Sequence, residues 1–221
     1  MKIVSATKVA IVLALIVITA VSWITTDADY NAWKQQCLQH FGTLLLVLLL
    51  ACDIVKGRMP MYAFVCVATF ALIHIVGARY VYSYVPYNEW FAKFGIVNQG
   101  ATAITVHVNK YDRFVHAAFG VLMFPCLLHK CLNWLEKKPL ASIFVAWLLI
   151  QTGSMVYEIF EWGLGAVMDP RNAERYNGQQ GDIWDAQKDM AWALAGSTIM
   201  AIAYAIKYKF LVGVDKNAHV K

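Results

Sequence analysis

Apolar residues along this chain neither alternate with polar ones nor recur on a single helical face. They come in long unbroken blocks such as 44–52 (LLLVLLLAC) and 142–150 (SIFVAWLLI). A helix rises about 1.5 Å per residue, so about 20 such residues cross the hydrocarbon core of a bilayer. Six stretches have this character, 8–26, 38–55, 61–79, 114–130, 140–162 and 189–207. The absence of alternation favours helices over barrel strands, whose lipid and lumen faces take turns along the chain. The pattern predicts an all-α polytopic membrane bundle of about six transmembrane helices, with residues 1–221 forming one integral membrane domain.

Composition agrees. Of 221 residues 60% are hydrophobic and only 15% charged, too few charges to coat a soluble globule of this size; the mean hydropathy is +0.52. The first stretch has a rival reading as a cleaved signal segment, with Lys2 and Lys8 ahead of the apolar run and Ala20-Val21-Ser22 as a faint cleavage site. Trp23 fits an interfacial anchor better. With six spans, the loops of one side carry eleven basic and three acidic residues, those of the other eight basic and eleven acidic. Basic loops stay in the cytoplasm, so both termini are expected there. The net charge of +5 is therefore a topology signal. No basic stripe with a groove-reading motif is present, and nucleic acid is not an expected partner. Five cysteines without a CxxC pair give no disulfide framework or zinc ribbon. The one long connection, 80–111, is rich in Tyr, Trp and Phe and is expected to lie in the outer interface.

Topology then sorts the polar residues by depth. His40 opens the second span, and His74 and Arg79 lie toward the outer end of the third. Asp112, Arg113 and His116 stand in the first turns of the fourth, Glu158 and Glu161 near the outer end of the fifth. Asp182, Asp185, Lys188 and Asp189 lead into the sixth. Asp112 and His116 are four apart, Glu158 and Glu161 three apart, and the aspartates fall at i, i+3, i+7, so each set shares a helical face. Gln151 and Ser154 continue the glutamate stripe inward, while Gly120, Ala193, Gly196 and Ser197 allow close helix approach. The expectation is an acidic pocket with histidine, open to the exoplasmic side and walled by the last three helices. A purely structural reading pairs single acids with Arg79, Arg113 or Lys188. It explains individual residues better than the whole set, in which seven carboxylates, Asp169 included, face four cations, Lys110 included.

The motifs NKYDRFVH (109–116), YEIFEW (157–162) and QGDIWDAQKDM (180–190) resemble those of the YjdF family of bacterial inner-membrane proteins, a domain of unknown function. More distantly, the order of His116, the glutamates and the Asp182–Asp185 pair is similar to VanZ-like membrane proteins. The resemblance implies a multi-pass protein of the bacterial inner (plasma) membrane and a cell-envelope connection, without a settled reaction.

Two classes of function fit the pocket. The first is a membrane-embedded enzyme acting on a lipid or lipid-linked envelope substrate. His116, Asp112, Glu158 and Glu161 would then be the acid–base residues. Asp182, Asp185 and Asp189, with Glu158 and Glu161, would offer oxygen ligands to a divalent cation (Mg, Mn or Ca). Arg113, Lys188, Arg79 and Gln180 would hold an anionic head group. The second is a non-catalytic binder or transporter of a lipid, ion or small cation, with a structural scaffold as a further alternative. GxSxG, HExxH, Walker A and Rossmann patterns are absent from the chain, which removes sequence support for ordinary serine hydrolase, zincin and nucleotide-driven mechanisms.

Overall fold

A computed structural model describes residues 5–26, 33–93 and 109–218. Among them every regular element is helical: α1 (Ala6–Ile24), α2 (Trp33–Gln39), α3 (Phe41–Lys56), α4 (Met61–Arg79), α5 (Tyr87–Lys93), α6 (Tyr111–Trp134), α7 (Pro139–Val167), α8 (Pro170–Asn177) and α9 (Asp185–Ala218). Local chemistry sets several boundaries. Gly57 takes a left-handed conformation (φ 56°) that ends α3, and Pro60 precedes α4. Pro139 opens α7, where its missing N–H costs no helical bond.

Five helices, α1, α4, α6, α7 and α9 through Lys209, are long and apolar enough to cross a membrane. The predicted stretch 38–55 behaves differently. The polar run 34–40 (KQQCLQH) forms the short α2 and a turn at His40, leaving α3 with 16 residues, about 24 Å of helix. Yet α3 runs the full distance between the two ends of its neighbours. At one end the His40 ring stacks on Trp23 at 5.6 Å. At the other Asp53 binds Lys8 Nζ at 2.6 Å, inside the protein. Asp53 also accepts the backbone N–H groups of Arg58 and Met59, which ties down the α3–α4 turn. His129 of α6 meets the Arg58 carbonyl at that same end, and α9, whose Tyr204 stacks on Phe124 of α6, runs toward it, so α1 begins and α9 finishes at one common end.

α4 and α6 form the centre. More than half of each is buried (56%), against about a quarter of α1, α7 and α9. One core lies among α1, α3 and α4 around Phe64 and Val67, a second joins α4, the 80–86 turn and α6 around Phe70 and Tyr82. The third joins α6 and α7 around Phe124 and Ile150, with Tyr204 of α9 packed on it. Outward faces carry exposed Leu13, Val17, Leu44, Leu48, Phe144, Ile159, Ile199 and Ile202, an apolar surface that suits lipid and not water.

The last three predicted spans are longer in the structure than their apolar runs. The motifs at 111–116, 157–162 and 185–190 are helical, because their polar side chains face neighbours while the helix continues. Of the segment predicted to lie in the interface, 94–108 falls outside the described residues; 80–86 forms turns and α5 follows.

Candidate functional site

α6 and α9 run parallel and very close. A Cβ on Gly120 would sit 2.5 Å from the Ala193 carbonyl oxygen and 2.7 Å from the Ser197 nitrogen, and one on Gly196 would strike the Ala117 carbonyl oxygen. Small residues at the crossing thus set the two N-terminal turns side by side, with Asp112 in the first turn of α6 and Asp185 in that of α9. Free N–H groups and the helix dipole favour carboxylates at such turns. The antiparallel α7 closes the third side, held to α9 by Gln151 Nε2 donating to Ser197 Oγ at 2.7 Å and Trp147 Nε1 donating to Thr198 Oγ1 at 3.0 Å.

Carboxylate oxygens of Asp112, Asp185 and Asp189 lie within 4.8 Å of one another. His116, 5% exposed, joins them to α7: its Nε2 is 3.8 Å from Asp112 Oδ1 and 3.1 Å from Glu158 Oε1, and its Nδ1 is 3.3 Å from Ser154 Oγ. Glu158 is 7% and Asp189 2% exposed; Asp189 Oδ1 is buried without a hydrogen-bond donor, and Glu158 Oε1 has only the His116 Nε2 beside it. Glu161 is buried nearby with the Tyr157 hydroxyl beside it as a donor. Buried carboxylate oxygens without donors are costly; a cation or a proton is what such a group lacks.

Two basic residues at this end, Arg113 and Lys188, are engaged by carboxylates at the rim of the cluster. Arg113 Nη2 pairs with Asp182 Oδ2 at 2.7 Å and Asp185 Oδ1 at 3.4 Å, and Lys188 Nζ reaches Asp182 Oδ2 at 2.5 Å. Asp182, with the Lys188 ammonium and the Trp184 N–H on its carboxylate, is held below the usual aspartate range. It sits one ion pair away from the three clustered aspartates, not among them. Gln180 spans two loops: its Oε1 accepts from the Asn109 N–H at 2.8 Å and its Nε2 donates to the Asn109 carbonyl at 3.0 Å, fixing the entry to α6 against the entry to α9. Arg79 stands apart from the cluster in its contacts, donating to Thr25 Oγ1 of the α1 end and lying over the Tyr80 ring. Burial pushes the hydroxyl of Tyr176, on α8, up to about 12.

One feature was not visible from spacing. A cavity of about 220 Å³ lies between α3 and α7 across the faces of α4 and α6. Its walls are mainly apolar, with Leu45, Leu46, Phe70, Val115 and Phe119; Asp112, His116, Ser154 and Tyr157 stand on one side and His74 on another. His74 Nδ1 is 2.9 Å from Thr43 Oγ1. The acid cluster and the cavity thus share Asp112 and His116. The α3 and α4 walls come from helices remote in sequence from the acidic motifs; His74 on α4 was the one wall residue that polarity had marked, and nothing in the leucine run of α3 marked Leu45 or Leu46.

Comparison with known proteins adds the following. A family model described as a predicted membrane protein (DUF2238) matches residues 7–209. The inner membrane protein YjdF of Escherichia coli (strain K12) is 27% identical over 143 residues, 61% of this chain and 60% of that protein, so the match spans about three fifths of the relative's length. These matches lend no support to the VanZ-like similarity. No solved structure matches.

Proposed function

Since the chain belongs to the predicted membrane protein family DUF2238 and is a multi-pass protein of the inner membrane, we propose that its acid cluster holds a divalent cation in an enzyme acting on the head group of a lipid or lipid-linked envelope substrate. The observation that carries this reading is the buried Asp189 Oδ1, which has no donor, beside the oxygens of Asp112 and Asp185, with Glu158 Oε1 close by and faced only by His116 Nε2. Separations of up to 4.8 Å match the span across an ion with ligands at 2.3–2.6 Å, as for calcium. Magnesium or manganese would draw the oxygens in by about 0.5 Å.

Asp112, Asp185 and Asp189 hold the ion, with Glu158 and Glu161 completing the negative surroundings. His116 is placed to move a proton. With its proton on Nδ1 facing Ser154, Nε2 is an acceptor at the cavity edge; with the proton on Nε2, it is shared with Glu158. As a general base, the Nδ1–H form takes up a proton at Nε2 to become the imidazolium, with Glu158 beside the new N–H, and as a general acid it returns that proton from the same nitrogen. Arg113 is proposed to serve the head group once an ion relieves Asp185 of its share of that pairing. Lys188 and Gln180 stand at the same rim, and Arg79 lies outside it.

The test is titration of the purified protein with Mn²⁺, by calorimetry and electron paramagnetic resonance. One site per chain is expected. Asp189→Asn and Asp112→Asn should weaken it at least tenfold, a loss of about 1.4 kcal/mol or more, while the bundle stays folded. No saturable Mn²⁺ or Ca²⁺ binding by the wild type, together with Asp112→Asn and Glu158→Gln proteins that melt later, would sink the reading. Neutralising crowded, unpaired acids should stabilise a bundle that holds no ion. Turnover of a lipid-linked substrate separates an enzyme from a binder or transporter using the same residues.

A further inference from the structure

We infer that the cavity between α3 and α7 takes the hydrocarbon chain of a single-chain lipid phosphate, entering sideways from the bilayer, with its phosphate at Asp112, His116 and the cation. The inference rests on the cation reading above and names the substrate class it implies. Two observations lead to it. α3 packs on α1, α2 and α4, and α7 on α6, α8 and α9, leaving the cavity as the space between the two. The helix faces flanking it expose Leu45 and Leu49 on one side and Leu149 and Val156 on the other, so its mouth lies among lipid-facing residues.

Volume and chemistry narrow the occupant. About 220 Å³ is below the roughly 300–1,000 Å³ of sites that enclose a whole drug-sized molecule. It suits a length of one chain, not the body of a two-chain lipid. Apolar walls on Leu46, Phe70 and Phe119 give a head group no partner, and His74 on a further wall is engaged by Thr43; the polar side is Asp112, His116, Ser154 and Tyr157, of which Asp112 and His116 border the carboxylate cluster. A carboxylate-bound divalent cation completes its shell with substrate phosphate oxygens. Without an ion the same acids would repel a phosphate, so the head-group assignment follows from the cation.

Photo-crosslinking tests this on the full chain in nanodiscs, with a dodecyl phosphate carrying a diazirine near mid-chain, with and without Mn²⁺. Labelling is expected on Leu45, Leu46 and Phe119. It should fall at least fivefold on competition with unlabelled dodecyl phosphate, and should resist equal concentrations of dodecanol and of inorganic phosphate. Leu45→Trp, at an exposed rim position, should cut the labelling at least fivefold with Mn²⁺ affinity unchanged. Labelling spread over the exposed faces of α1, α7 and α9 overturns the inference. Equal competition by dodecanol overturns the phosphate assignment, and by inorganic phosphate the chain assignment. In each of those cases the cation reading survives if Mn²⁺ still binds. Failure of the wild type to bind a divalent cation removes that reading instead, whichever residues are labelled.

Discussion

Asp182 shows how one carboxylate can belong to the rim of a site without belonging to its centre. Its oxygens take Lys188, Arg113 and the Trp184 N–H, and these hold its pKa below the usual aspartate range. A carboxyl group whose folded value is depressed stabilises the protein above its unfolded value, near 4, and loses that contribution as pH falls through the folded value. Asp182 therefore stabilises fully at pH 5 and above. Melting curves in detergent should show wild type above Asp182→Asn at pH 6, with the gap closing as pH drops below about 4. Lys188 is nearly half exposed, so salt should narrow the gap at pH 6 as well. A gap unchanged at pH 3 would contradict the assignment. Sequence spacing placed Asp182 with Asp185 and Asp189 on a shared face, but could not show which of them Arg113 and Lys188 would claim. That choice depends on α6 and α9 standing side by side.

At the scale of elements, the α6–α9 crossing determines whether there is a cluster at all. Gly120→Ala would drive a Cβ into the Ala193 carbonyl and the Ser197 backbone, and the two helices must then separate. Overpacking of this kind costs about 1–3 kcal/mol. The variant should melt earlier, and its Mn²⁺ affinity should fall with it, because Asp112 moves away from Asp185 and Asp189. An earlier melt with undiminished affinity would mean that the crossing does not control the cluster. This contact was legible in the small residues Gly120, Ala193, Gly196 and Ser197, as were the helices carrying the acids. The broken start of α3 was harder to read. Residues 38–40 look like the head of one apolar run, yet Gln39 and His40 are buried and the chain turns there before α3 begins. The α3 wall of the cavity was not legible either, since Leu45 and Leu46 sit in a run of leucines with nothing to mark one lipid-facing residue from another.

At the scale of the whole molecule the two ends differ in charge. Lys56, Arg58, Lys130, Lys137, Lys138, Lys207 and Lys209 lie at the end where α1 begins and α9 finishes. The acid cluster lies at the other. Retention of basic segments in the cytoplasm is the ground on which we propose that the cluster, the α8 loop and the shared rim of the cavity lie in the exoplasmic half. A lipid phosphate would then be met in the outer leaflet, and the cation drawn from the periplasmic side. The Lys8–Asp53 pair adds only one neutralised charge to the basic end and leaves the asymmetry intact. Reporter fusions decide the matter. Alkaline phosphatase, active only outside the cytoplasm, should be inactive when fused after Lys138 or Lys209 and active when fused after Gly178, between α8 and α9. A fluorescent protein that matures only in the cytoplasm should give the reverse pattern. Phosphatase activity after Lys209 with none after Gly178 would invert the molecule and put the acid cluster in the inner leaflet. The geometry of the cluster would stand, but the proposed substrate would have to be a lipid presented from the cytoplasm.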